Sequence, residues 1–193
     1  MGGAVTQVMK AEERLVFSPS VEALLIRGVG DQLSDEVRAQ VSEMGIDLSR
    51  PLLPAYSIDV WNRVVDHIAM ALHPERSMAE AQYELGQSTV YGFERTTLGK
   101  AMVAVSKLIG PRRALLRFAG SSRSSNNYSY MEAREISPTE IELTAAPFEG
   151  HPEYVQGCLC ALIDLTGGKN GEVELISHDR EQERVVLRAR WGA

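Results

Sequence analysis

"PEYVQGCLCALIDLTGG", Pro152–Gly168, is the stretch whose reading decides the fold. Its apolar side chains recur at helical spacing, with Tyr154, Val155, Cys158, Leu162 and Leu165 on one side and Gly167 and Gly168 as the stop. On either side of it the period is two instead. Upstream, "TEIELTA" (Thr139–Ala145) alternates Ile141, Leu143 and Ala145 with Glu140, Glu142 and Thr144, and "ISP" joins it to "NYSYMEARE" (Asn127–Glu135). Downstream, Val173 and Leu175 alternate with Glu172 and Glu174, while Val185, Leu187, Ala189 and Trp191 alternate with Arg184, Arg188 and Arg190. A helix between two half-buried hairpins is the result, which is α+β with an antiparallel sheet.

Charge predicts the register of that sheet. Arg134 can face Glu140 or Glu142 across the first hairpin. A turn centred near Glu181 sets Glu174 opposite Arg188 and Glu172 opposite Arg190 in the second. The basic strand is thereby explained without nucleic acid.

Everything before the first hairpin reads as helix. "SPSVEALLIRGVG" offers Ser18 as N-cap, Pro19 at the first helical position and Gly28 and Gly30 as stops. In "LSDEVRAQVSEMGID", Ser34 caps, Asp35 and Glu36 sit at the positive end of the dipole, and Gly45 terminates. "RPLLPAYS" reads as a proline-punctuated connection. Val60, Trp61, Val64, Val65, Ile68 and Leu72 then form an amphipathic helix capped by Ser57 and closed by Pro74. Ser77 and Glu80 have capping-box spacing and open a long helical stretch carrying Ala81, Leu85, Leu98, Met102, Val105 and Ile109 as its core stripe. Gly86, Gly92 and Gly99 predict two helices hinged near Gly92, and Pro111 starts another that buries Leu115, Leu116 and Phe118. Met1–Arg14 has no sustained period and reads as a partly disordered, dispensable segment before a single domain over 15–193.

The composition narrows the function. A chain of 193 residues with 44% hydrophobic content supports one core. A net charge of −6 lacks the basic footprint of a nucleic-acid or anionic-membrane binder. No apolar run approaches the roughly 18–20 residues that span a bilayer, and the N-terminus has no signal pattern, so the expectation is cytoplasmic. Cys158 and Cys160 are too close for a structural disulfide and suit a reducing compartment.

Residues two apart on a helix point about 200° from one another, so the two cysteines do not converge on a metal; one core and one semi-exposed thiol is the expectation. His67 and His73 diverge too, Asp66 and His67 face different ways, and His151 and His178 read as loop residues. There is no GxSxG, no GxxxxGK[ST], and the GxG of "RGVGDQLS" follows a helix rather than a strand. These absences argue against an enzyme. What remains is "SSRSSNNYSY", Ser121–Tyr130, where Arg123, Asn126 and Asn127, with Gly120 just before them, could offer donors to a carboxylate or phosphate. Against that stands a loop whose amides satisfy its own turns, the weightier reading.

The combination "LVFSPSVEALL", "IGPRRALLRF", "NNYSY", "EYVQGCLCALIDLTGGKN", "SHDR" and "RARW" resembles an uncharacterised domain family expanded as paralogues in myxobacteria, over about Leu15–Trp191. More distantly, helices followed by hairpin, helix, hairpin is similar to the ligand-binding fold of vinyl-reductase-type sensor domains, haem nitric-oxide-binding domains and Bet3-like trafficking subunits. That resemblance implies a sensor or assembly module, often dimeric, with a pocket between helices and sheet. Haem nitric-oxide-binding domains use a proximal histidine and a Tyr-x-Ser-x-Arg clasp. Here Tyr130 and Arg134 match, but Glu132 stands for the serine and no histidine occurs between His73 and His151, so no haem and no other cofactor is expected.

The leading expectation is a non-enzymatic cytoplasmic regulatory or sensor domain that binds a small apolar or amphipathic ligand. Trp61, Tyr91 and Phe93 are its candidate walls, and Arg123, Asn127 and Tyr128 its candidate polar end. The alternative is a ligand-free interaction module, a homodimer or signalling adaptor, with an enzyme third. An exposed apolar patch favours the module and an enclosed apolar cavity the sensor.

Overall fold

Local capping chemistry starts most of the helices. The computed structural model describes residues 13–192. Strand β1 (Leu15–Phe17) runs into α1 (Ser18–Val21), which continues as a π-helical segment, Glu22–Gly28. After a 3-10 turn come α2 (Asp35–Glu43), β2 (Ala55–Ser57), α3 (Ile58–Leu72), α4 (Met78–Arg95) and α5 (Thr97–Gly120). The chain ends with β3 (Tyr130–Ser137), β4 (Glu140–Ala146), α6 (Pro152–Leu165), β5 (Lys169–Asp179) and β6 (Arg184–Gly192). Ser34 accepts from Val37 N (3.2 Å) and Ser57 from Val60 N (3.3 Å), while Ser77 and Glu80 close a reciprocal box. Ser18 does not cap: it is the first residue of α1, and the N-cap position falls on Phe17, which makes no side-chain bond.

The α+β architecture holds. A four-stranded antiparallel sheet runs in the order β3-β4-β6-β5, with α6 connecting its two hairpins. The charge-based register holds too, since Arg134 pairs with Glu142, Glu174 lies opposite Arg188 and Glu172 opposite Arg190. The end of the proline-punctuated connection is in fact strand β2, paired with β1; three residues each are too few to display a period of two.

Ile141, Leu143, Ala145, Val185, Leu187 and Ala189 face the helices, where Leu115, Leu159 and Ile163 meet them in one core cluster. A second cluster gathers Leu24, Val41, Ile46, Trp61, Ile68 and Leu85 in the N-terminal half. Helices α4 and α6 form the seam between the two clusters. At their crossing the backbones touch: a Cβ on Gly86 would lie 2.0 Å from Tyr154 O, and one on Gly157 2.0 Å from Tyr83 O. Because α6 is covered on both sides, Leu159 and Ile163 are fully buried while Leu162 and Leu165 of the expected stripe are only half-buried. Both cysteines are buried, not one: the Cys158 thiol donates to Gly86 O (3.3 Å) and Cys160 sits beside Tyr83. Burial pushes the Cys158 thiol up to about 12 and raises Cys160, which keeps both protonated.

Gly92 is not a hinge. A Cβ there would meet Ala23 O at 2.0 Å, so the glycine admits the π-helical segment against α4, and α4 runs on to Arg95. The break is at Thr96, whose Oγ1 accepts from Gly99 N (2.9 Å) to start α5. Gly110, at φ 74°, divides α5 again before Pro111. The expected core stripe also splits at Thr96. Ala81 and Leu85 are buried, whereas Leu98, Met102 and Val105 are exposed, because α5 meets its neighbours through Gly99 and Val103 on another side of the helix.

The sheet face away from the helices carries an ion-pair ladder. Glu142 bonds Arg134 (2.7 Å) and Arg188 (3.0 Å), and Arg190 reaches Glu140 (3.1 Å) and Glu174 (3.6 Å). Hydrogen bonds from Arg134 and then Arg188 hold the Glu142 carboxyl below its ordinary 4.5. A folded-state value below the unfolded one contributes stability that is complete above about pH 4.5 and is lost as pH falls through the lowered value. Glu142→Gln is therefore expected to flatten the acid limb of the thermal midpoint against pH; an acid limb as steep as wild type would contradict the ladder's role.

Candidate functional site

The Ser/Asn run is a structural clasp. Asn126 Oδ1 accepts from Tyr128 N (3.0 Å) and Ser129 N (2.7 Å), a turn closed by its own side chain. Asn127 Oδ1 accepts from Leu15 N (2.7 Å) and its Nδ2 donates to Glu13 O (2.9 Å), while Phe17 N donates to Ser125 O (2.9 Å). The run thus pairs along β1. Arg123 is exposed and stacks on Tyr130 with its guanidinium carbon 4.7 Å from the ring centre.

Residues 1–12 lie outside the described residues, but Arg14, assigned to the dispensable segment, is firmly held. Its guanidinium bonds Glu149 (2.8 Å) and Glu183 (2.6 Å) and lies over the Tyr128 ring at 5.7 Å. Both carboxylates raise the Arg14 pKa, and Tyr128, whose hydroxyl donates to Glu149 O (3.3 Å), is raised by burial.

These contacts separate two substitutions. Asn127→Ala leaves Leu15 N without its acceptor and is expected to cost about 1–3 kcal/mol, whereas Arg123→Ala removes one exposed cation–π contact, about 0.5–1 kcal/mol. Thermal melts that rank them the other way would return Arg123 to a structural or binding role.

The structure does not gather the six candidate residues into one pocket. Trp61 is buried in the N-terminal core, edge-on to Tyr154 at 6.3 Å, and Tyr128 packs on the same cluster. Tyr91 instead donates to Asp164 Oδ2 (3.1 Å) at the far end of α6. Tyr154 and Asp164 are ten residues apart on that helix, about 15 Å. Phe93 is half-buried near the start of α5, its carbonyl accepting from Thr96 (2.8 Å for the hydroxyl).

Two features absent from the sequence reading stand out. One is an open cleft of about 360 Å³ lined by Lys107, Asp164, Leu165, Thr166 and Gly167. At this cleft Tyr91 bonds Asp164, and Lys107 pairs with Glu94 (2.9 Å). Burial, then Asp164, lifts the Tyr91 hydroxyl to about 12. The other is α5: Leu98 is 61% and Leu108 87% exposed, with Met102 and Val105 exposed between them and Ile109 half-buried. The spacing of these residues was visible in the sequence, but an apolar stripe reads the same whether it meets a core or solvent.

The described residues do not fit haem. Tyr130 and Arg134 lie on the solvent face of β3, Tyr130 exposed and Arg134 paired with Glu142, while Met131 and Ala133 between them face the core. His151 Nε2 lies 3.0 Å from Asp66, off the hydrogen-bonding axis, and His178 packs edge-on to Phe148. Asp66 also accepts from the buried Gln82 (2.7 Å). Only His67 keeps a buried, unpartnered Nε2 besides His151, and it sits on α3, apart from the β3 face that carries Tyr130 and Arg134. The backbone contacts of α4 with α6 and with the π-helical segment leave no room for a macrocycle at those crossings.

Among solved structures, H-NOX domains share this fold. A variant of the K. algicida H-NOX protein in its unliganded Fe(II) form matches with a TM-score of 0.64 at 12% identity, over 92% of this chain and 97% of that one. An oxygen-binding H-NOX domain related to soluble guanylate cyclases matches at 0.59 and 12%, over 91% and 93%. A structure addressing H-NOX activation matches at 0.62 and 12%, over 90% and 95%. These likenesses establish the fold, and within the group named by the resemblance they lie with the haem nitric-oxide-binding domains; they carry nothing on a myxobacterial expansion. No curated protein matches. Among the described residues no helix is long and apolar enough to cross a membrane. A family model described as protein of unknown function (DUF2378) matches residues 14–192, and the chain belongs to that family.

Proposed function

We propose that this chain is a haem-free regulatory module of cytoplasmic signalling, non-enzymatic, which uses the H-NOX-like fold to dock another protein through α5. One observation carries the reading: an apolar face from Leu98 to Leu108 is turned to solvent on a helix whose other side is packed. Leaving such a face in water is unfavourable, and a binding partner removes the cost.

The test compares the full chain with Leu98→Asp/Leu108→Asp. Both side chains are exposed, so the variant is expected to keep its thermal midpoint. Native mass spectrometry and sedimentation are expected to show a protein complex with the parent chain that the variant loses. A midpoint collapse in the variant would place the stripe inside a core and end the reading.

A second reading, a small-ligand sensor, is favoured by the cleft beside α6, where Lys107 and Asp164 line about 360 Å³ and Asp164 accepts from the Tyr91 hydroxyl. It predicts a small reproducible extra mass released on denaturation. In the haem-free reading, hemin titration gives no stoichiometric, saturable absorbance change; a sharp saturable band would overturn it.

A further inference from the structure

We infer that the outer edge of β3 is a self-association site, on which a second copy of this chain pairs its own β3 in antiparallel register about Ala133. This goes beyond the docking reading above and uses other residues. The sheet order leaves β3 and β5 as its edges. An edge strand presents unpaired N–H and C=O groups, which proteins guard with bulges, lysines or prolines. Strand β5 is guarded, since its pairing with β6 shifts register between Lys169 and Glu172 and again between Leu175 and Ser177. Strand β3 keeps an unbroken register from Tyr130 to Glu135, with neither lysine nor proline in that run, and its shift falls at the Glu135/Ser137 end.

The hydrogen bonds show which groups point outward. Met131 N donates to Ser122 Oγ (3.2 Å) instead of into the β4 ladder. Successive residues of a strand turn their amides to opposite edges, so Met131, Ala133 and Glu135 face outward. Among the described residues nothing answers the outward amides of Ala133 and Glu135. Met131 and Ala133 are only half-buried, whereas Ile141, Leu143 and Ala145 one strand further in are buried, so the edge is uncovered.

Charge selects a second copy as the occupant. Glu132 and Arg134 stand on the solvent face to either side of Ala133. Antiparallel pairing about Ala133 sets Glu132 of each copy opposite Arg134 of the other, and Ala133 exchanges N–H and C=O with its own image. Glu132 has no ion-pair partner among the described residues. Arg134 gives Nε and Nη2 to Glu142 but is 69% exposed, which leaves Nη1 for a second carboxylate. Registers centred one residue away bring Glu132 onto Glu132 or Arg134 onto Arg134, and like charges directly opposite are destabilising. The same patch meets itself across a two-fold axis, so the contact closes as a dimer and does not propagate.

The test is sedimentation of the full chain over a range of concentrations, with hydrogen exchange on the same samples. The parent chain is expected to form a concentration-dependent dimer, with exchange at the Ala133 and Glu135 amides slowing as the dimer fills. Glu132→Arg and Arg134→Glu each put like charges opposite one another at both symmetry-related positions, and each is expected to weaken the dimer about tenfold. An equimolar mixture of the two variants restores opposite charges at both positions and is expected to recover the dimer, a readout that a folding defect does not produce. Leu98→Asp/Leu108→Asp is expected to dimerise like the parent chain, which separates this contact from docking through α5. A monomer at every concentration overturns the inference, as does a dimer that both charge variants leave intact. Loss in both without recovery on mixing overturns it too. A dimer abolished by Leu98→Asp/Leu108→Asp overturns it while keeping α5 as an interaction face.

Discussion

Gly86→Ala lowers the thermal midpoint of the domain by about 4–8 °C. The added methyl group would sit 2.0 Å from Tyr154 O and 3.0 Å from Cys158 N, both backbone atoms of α6. Backbone has no rotamer by which to retreat, so the two helices must separate. Overpacking a core costs about 1–3 kcal/mol when side chains can adjust, and a clash with a carbonyl lies at the top of that range. Alanine's better helix propensity returns only about 1 kcal/mol, and at this chain length each kcal/mol moves the midpoint by about 2–4 °C. Gly157→Ala meets Tyr83 O in the same way and is expected to match it. The double variant should cost less than the sum, because the first substitution already parts the helices. Gly120→Ala, with nothing within 4 Å, is the control and should change little. A Gly86→Ala midpoint equal to that control would mean that α4 and α6 are not in backbone contact.

Trp61→Ala is expected to cost about 3–5 kcal/mol, a fall of roughly 6–20 °C. Trp61 is 6% exposed, packs with Ile68 and Leu85 in the N-terminal cluster, and stands edge-on to Tyr154, whose hydroxyl meets that of Thr89 at 2.6 Å. Removing the indole opens a cavity at the junction of α3, α4 and α6, and the loss follows from cavity and transfer together. Trp61→Phe keeps an aromatic edge against Tyr154 and should recover about half. The alternative role, a pocket wall in contact with a ligand, predicts the reverse: a melt close to wild type in the isolated chain, with the effect confined to binding. Thermal melts read by circular dichroism decide between them, since the indole itself is the group removed.

The acid ladder and the clasp show where the two scales of information meet. Glu172, Glu174, Arg188 and Arg190 alternate with apolar residues, and in a strand alternation sends them to one face, so their pairing follows from spacing and charge alone. The clasp is different. Asn127 could have offered its amide to a ligand or to the chain, and the deciding partner, Leu15 N, lies 112 residues away in sequence. Similarly, Gly92 looks like a hinge to any local rule, because a glycine that relieves strain and one that admits a neighbouring carbonyl are the same letter. Only the position of Ala23 O distinguishes them.

By itself the sequence determined the α+β order of elements, the caps at Ser34, Ser57 and Ser77, the period-two strands and the register of the charged face. All of these are set by interactions between residues close in the chain or by a repeating period. The tertiary structure alone decided which apolar stripe is core and which is surface, and that Trp61, Tyr91 and Arg123 lie in separate environments. It also decided that Tyr130 and Arg134 face solvent, away from the helices. Helical periodicity marks a face as apolar without saying what lies opposite it. For Leu85 that is a core and for Leu98 it is water, a difference that exists only once α4 has packed through its glycines and α5 has turned away at Thr96.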